Sequence, residues 1–253
     1  MMILIFIYKP KSIQKMKTLI LLLIPFICFA QLKFLPKKFI DDCVVEHTYY
    51  SLSYVEKHEQ AEWVHYRLDP KMVLTNQKNR KKFKTDRNYY QDRTFKSKSA
   101  HKDDIKFSVD GFERGHLAPA ADMKIDSISV REAAYMSNIS PQKKDFNGQE
   151  WLRLEKHVRS LAKKNEIYVT TGGVLSCDLQ SIGHKNKVSV PKLFYKIIYD
   201  DKNKKMTAYL MPNKKLESFK NYRVTVDLIE TLTGIDFYYE LDDILEEKLE
   251  SKH

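Results

Sequence analysis

Apolar and polar positions change their period several times along the chain, and each change marks an element. Trp63–Leu68 alternates and is rich in aromatic and branched side chains, which predicts a half-buried strand. Ile167–Thr171, Val188–Pro191, Phe194–Tyr199 and Thr207–Met211 predict further strands, and the polar run Asp200–Lys205 predicts a hairpin turn between the last two. Phe107–Val109 predicts a short strand. The period lengthens over Asn147–Lys164. At about 100° per residue, Trp151, Leu154, Val158, Leu161 and Ala162 fall in one stripe about 100° wide, which predicts a helix packed by that face. Glu155 and Arg159 then stand at the rim, at (i, i+4) spacing for an ion pair. A shorter helix is expected over Ser129–Met136, with Ser129 and Glu132 as a capping box and a break at Ser137–Gln142. Thr225 should cap a helix that runs through Leu232 and stops at Gly234. The acidic tail after Asp242 predicts a helix that frays. Residues 31–60 are weakly patterned and read as an extension packed on the domain. Residues 61–253 read as one α+β domain, a central, mostly antiparallel sheet with helices on its faces.

The N-terminal 30 residues have a separate logic. Lys15 and Lys17 precede the short apolar run Thr18–Ala30, the layout of a secretory signal peptide. The run is shorter than the roughly 20 residues a membrane-spanning helix needs. Met16 is a natural start, so residues 1–15 read as a start-site artefact and 16–30 as the signal proper. The expected destination is secreted or periplasmic, with no stable membrane association after cleavage. An uncleaved anchor is the alternative. Cys43 and Cys177 would follow the signal, as one disulfide or as two thiols. No Cys/His cluster has zinc-site spacing.

The formal charge is +11, and +7 stays on residues 31–253 once Lys9, Lys11, Lys15 and Lys17 are set aside. A basic globular domain favours polyanionic partners. From Asn76 to Lys106 the chain is strongly basic, with Tyr89, Tyr90 and Phe95 interleaved. Such a loop is a solvated surface for most of its charges, yet it can also follow a phosphate backbone.

The chemistry concentrates in two stretches. Glu113-Arg114-Gly115-His116 is followed by an apolar run containing Pro119, which ends or kinks whatever ladder His116 stands on. Gly115 leaves room for a ligand or backbone beside the imidazole, and an imidazole titrates near neutrality, as a general base should. About twenty residues on come Ser137-Asn138 with Pro141-Gln142, then Phe146-Asn147, Trp151, Leu154-Glu155 and Arg159. Read alone, Asn147 is a helix cap and Glu155 with Arg159 a surface pair.

In order and spacing, however, these boxes resemble the ββα-metal (His-Me finger) family of non-specific DNA/RNA endonucleases, from about Trp63 to about Leu249. The family signature is Asp-Arg-Gly-His, then Ser-Asn-x-x-Pro-Gln, then Phe-Asn-x-x-x-Trp-x-x-Leu-Glu. The departure is Glu113 in place of Asp, which keeps the carboxylate and adds a methylene. The resemblance implies a ββα-metal active-site motif and a Mg²⁺-dependent endonuclease of DNA and RNA, with Mn²⁺ able to substitute and 5′-phosphate products. It makes His116 the general base and Asn147 the direct metal ligand, with Glu155 holding metal-bound waters. Arg114 and Arg159 would orient or neutralise the phosphate, and Asn138 would orient the loop or the histidine. One arginine of the basic loop, Arg87 or Arg93, would face the scissile phosphate. The family includes homodimers, and an inhibitor protein would suit a toxic nuclease. Two other readings stand beside this one: a non-catalytic nucleic-acid binder on the same scaffold, and a hydrolase of small phosphodiesters.

Overall fold

The computed structural model describes residues 32–37, 44–76, 81–86, 99–105 and 111–252. The signal segment, Cys43, Arg87, Arg93 and the strand expected at Phe107–Val109 lie outside them. In chain order the first strands are β1 (Val44–Glu46), β2 (Tyr50–Val55), β3 (Gln60–Leu68), β4 (Phe112–His116), β5 (Ile139–Lys143) and β6 (Ile167–Gly173). They are followed by β7 (Ser181–Ile182), β8 (Val188–Ser189), β9 (Leu193–Asp200), β10 (Lys205–Pro212) and β11 (Arg223–Val224). The helices are α1 (Pro70–Leu74), α2 (Ser127–Glu132), α3 (Leu152–Ala162), α4 (Val226–Thr233) and α5 (Asp243–Glu250).

Seven strands make the central sheet, in the order β1-β2-β3-β6-β9-β10-β11, and every neighbouring pair is antiparallel. The α+β expectation is met. Alternation along the strands splits the interior into two cores, one per face. Val64, Tyr66, Leu68, Phe194 and Ile198 face the first, where Trp151, Leu154, Val158 and Ala162 deliver the predicted apolar stripe of α3. Trp63, Tyr195, Ile197 and Tyr199 face the second, with Val226, Ile229 and Leu249 from α4 and α5. A smaller cluster, including Phe112, Ile139, Ile182 and Val188, supports the separate β4–β5 and β7–β8 ribbons.

Four elements differ from the sequence expectation. Residues 44–55, read as part of an extension, are two strands of the central sheet; Ser51 and Ser53 are buried there although their side chains are polar. Ser137–Gln142 breaks α2 as expected, but its second half is strand β5, in which Pro141 is tolerated because the ribbon has only two strands. Helix α2 is capped by Asp126, whose Oδ1 accepts from Ile128 and Ser129 N–H groups, while Glu132 turns away to Thr48. Finally, α5 does not fray, because Leu249 is buried in the second core. The hairpin at 200–205 and the Thr225 and Gly234 caps of α4 are as predicted, Gly234 taking the left-handed φ of 68° that a helix C-cap favours.

His65 on β3 is fully buried, its Nδ1 paired with Thr170 Oγ1 at 2.8 Å and its Nε2 with Lys33 O at 3.0 Å. Burial pushes its pKa from 6.5 down to about 4. The unfolded chain therefore takes up the proton first, and the stability tied to this group is full above pH 6.5 and is lost as pH falls towards 4. The loss should be on the order of 3 kcal/mol. Urea unfolding at stepped pH should show it in the wild type, and His65→Asn should flatten the dependence.

Candidate active site

The two boxes meet because β4 and β5 pair antiparallel, with Glu113 opposite Gln142 and His116 opposite Ile139. Gly115 leaves room for the Gln142 side chain, since a Cβ there would lie 2.0 Å from its amide oxygen. The space expected beside the imidazole for a ligand is thus taken by Gln142. The strand ends at His116, and Asn138 fastens the chain that follows. Its Oδ1 accepts from Ala118 N–H at 2.8 Å, and its Nδ2 donates to Ala118 O at 3.0 Å and Ala133 O at 3.1 Å. Asn138 is completely buried, so it holds the loop behind His116 and cannot touch substrate. Asn138→Ala would orphan three buried backbone groups and should lower stability by about 3 kcal/mol, read as the shift in urea midpoint.

After β5 the chain enters a π-helical turn, Phe146–Trp151, that continues into α3. Phe146 stacks on Phe194 of β9 and Trp151 packs tilted against it, with ring centroids 5.5 and 5.8 Å away, and the two together fix the start of the helix on the sheet. Asn147 stands in this turn. Its Nδ2 donates to Glu113 Oε2 at 2.9 Å, so the longer Glu113 still reaches across the ribbon. With its nitrogen held, Asn147 keeps its carbonyl oxygen for another partner. On α3, Glu155 is buried rather than at a rim.

A cleft of about 580 Å³ is lined by His116, Asn147 and Glu155, together with Phe83, Lys81 and Lys124. The ring of Phe83 lies 5.4 Å from that of His116 and 5.3 Å from the Arg114 guanidinium. Arg114 Nε also donates to Lys102 O at 2.9 Å. Arg159 does not pair with Glu155 as its spacing suggested. Its partner is Asp122, with Nη1 2.6 Å from Oδ1, and Asp122 Oδ2 accepts the Tyr66 hydroxyl at 3.1 Å. The cleft thus brings together His116, Asn147 and Glu155. Arg114, Arg159 and Asn138 stand around it without lining it.

Lys196 of β9 is fully buried, and among the described residues its Nζ has no hydrogen-bond partner. It sits 4.6 Å from the centre of the Trp151 ring. Burial lowers its pKa, opposed by the charges of Glu155 and Asp122. Burial likewise raises the Glu155 carboxyl, and the Lys196 ammonium is the strongest force holding it back. Sequence reasoning missed Lys196, Asp122 and Phe83. A signal for Lys196 was present, because it shares an inward strand face with Phe194 and Ile198.

Over residues 35–244 the chain matches the family described as DNA/RNA non-specific endonuclease. It belongs to that family. Among its relatives in this endonuclease family, nuclease C1 of Cunninghamella echinulata var. echinulata is 33% identical over 152 residues, which is 54% of this chain and 60% of that one. The mitochondrial endonuclease G of Caenorhabditis elegans is 31% identical over 153 residues, covering 54% of this chain and 50% of that one. The match thus spans only half to three fifths of those two relatives. A nuclease of Nostoc is 28% identical over 228 residues, 84% of this chain and 79% of its own. A crystal structure of the EndoG/EndoGI complex, described as showing the mechanism of EndoG inhibition, superposes with a TM-score of 0.68 at 28% identity, covering 80% of this chain and 88% of that one.

Proposed function

We propose that this protein is an exported, Mg²⁺-dependent endonuclease that hydrolyses DNA and RNA with little sequence preference and leaves 5′-phosphate ends. The observation that carries the reading is a cleft lined by His116, Asn147 and Glu155 together. The donor set fits a hard cation that keeps most of its waters: one amide oxygen oriented by Glu113, and a carboxylate two turns along the helix. When bound, the ion neutralises charge on the phosphate and its leaving oxygen. His116 accepts the proton of the attacking water, steadied by the strand end and by Phe83. Glu155 holds waters by its carboxylate oxygens, kept ionisable by Lys196 behind it. Arg159, aligned by Asp122, and Arg114 supply positive charge beside the phosphate. Arg87 or Arg93 is assigned to the same phosphate by the family resemblance. Contacts of this kind follow a backbone without reading bases, which accounts for low specificity. EndoG is described with EndoGI and its inhibition, and we extend to this chain the expectation of an inhibitor protein.

The test is to incubate the purified protein with plasmid DNA and with RNA, in Mg²⁺ and in EDTA, and to analyse the product ends. Both polymers should be cut only with Mg²⁺, and the ends should accept label from a kinase only after phosphatase treatment. Retention of plasmid on a gel without cleavage would favour a binder. Turnover of a small chromogenic diester with both polymers left intact would favour the small-substrate hydrolase.

A further inference from the structure

Helices α4 and α5 pack side by side on the second core through Val226, Ile229 and Leu249, on the opposite face of the sheet from α3 and the cleft. That packing forces carboxylates together. Asp227 and Glu230 stand one turn apart on α4, and Glu246 and Glu250 one turn apart on α5. Oxygens of Asp227, Glu230 and Glu250 lie within 4.8 Å of one another. Among the described residues none of these four acids makes an ion pair.

A second observation points inward. Glu250 is only 6% exposed, and among the described residues its buried Oε1 has no hydrogen-bond partner, although its carboxylate belongs to the group that converges on Asp227 and Glu230. A buried acceptor of this kind is costly unless something cationic or a proton meets it. Glu230 spends one oxygen on the Phe237 N–H at 2.8 Å, which orients its carboxylate.

We propose that Asp227, Glu230 and Glu250 form a calcium site that ties α5 to α4 on the face of the sheet remote from the cleft. Oxygens bound to one calcium ion at about 2.4 Å can be at most about 4.8 Å apart, which the cluster satisfies. The donors are all hard oxygens, with no histidine or cysteine to attract zinc or copper. Three carboxylates from a protein cage suit calcium better than magnesium, which holds its waters and seldom takes so many side chains. Without a cation the repulsion is relieved by protons. Burial first, and then the neighbouring acids Glu230, Glu246, Asp227 and Asp236, push Glu250 up to about 9. Burial and the acids around it push Glu246 up to about 7.

The experiment compares thermal unfolding of the full chain in Ca²⁺ and in EGTA, for wild type, Glu230→Gln/Glu250→Gln and Asn147→Ala. Calcium about 100-fold above its Kd should raise the wild-type Tm by about 5 °C. Asn147→Ala should keep that rise and the double variant should lose it, while cutting plasmid in Mg²⁺ at the wild-type rate. The double variant removes repelling charge, so folding is not at risk, and circular dichroism checks it. Two results would overturn the proposal. One is a wild-type Tm indifferent to calcium, with a higher metal-free Tm in the double variant, which would mean shared protons alone. The other is a calcium response lost in Asn147→Ala and retained in the double variant, which would place the ion in the cleft.

Discussion

His116→Ala should cut plasmid about 10²- to 10⁴-fold more slowly than wild type, the range for removing a positioned general base. The effect should fall on the chemical step, because the imidazole stands at the end of β4 in the cleft with Asn147 and Glu155, and its removal leaves both in place. The fold should not suffer. His116 is half-buried, and the neighbouring strand pairing is made by backbone and by Gly115 rather than by the imidazole. Single-turnover nicking of supercoiled plasmid measures the rate, and urea unfolding separates it from stability. A variant that folds and cuts at the wild-type rate would take the base role away from His116.

The second large effect is on stability. Asp122→Ala should destabilise the protein by about 3–5 kcal/mol. Asp122 is fully buried and joins the Arg159 guanidinium to the Tyr66 hydroxyl, and the Arg159 side chain is only 16% exposed. Deleting the acid leaves a largely buried cation without its partner, in a region that already holds Lys196. Removing both charges in Asp122→Ala/Arg159→Met should recover part of the loss, because no unpaired cation then stays behind. Urea midpoints of the wild type and both variants give the comparison. A double variant as unstable as the single one would mean that the loss comes from packing.

The parts legible in the sequence were those set by local spacing. The stripe of α3 follows from one helical period, and the His116 and Asn147 boxes follow from short motifs whose internal order survives any fold. What was illegible depends on partners distant in sequence. Glu155 and Arg159 look like a surface pair until Asp122, 37 residues before Arg159, is brought beside them. The strand at 50–55 looks weak because its burial comes from pairing with β3 and not from its own hydrophobicity, and the edge strand at 44–46 is held by pairing with β2 in turn. Lys196 shares a strand face with Phe194 and Ile198, but that alternation does not show that Glu155 and Asp122, distant in sequence, come to lie near it.

The proposed mechanism has His116 and Asn147 acting in one cleft as base and metal ligand. The most direct test is the rate of plasmid nicking as a function of Mg²⁺ concentration for wild type, His116→Ala and Asn147→Ala. His116→Ala should reach a much lower plateau at an unchanged half-saturating Mg²⁺ concentration, whereas Asn147→Ala should need at least 10-fold more Mg²⁺, since losing even an outer-shell partner costs about 10- to 100-fold in metal affinity. Saturation of Asn147→Ala at the wild-type Mg²⁺ concentration and rate would contradict it.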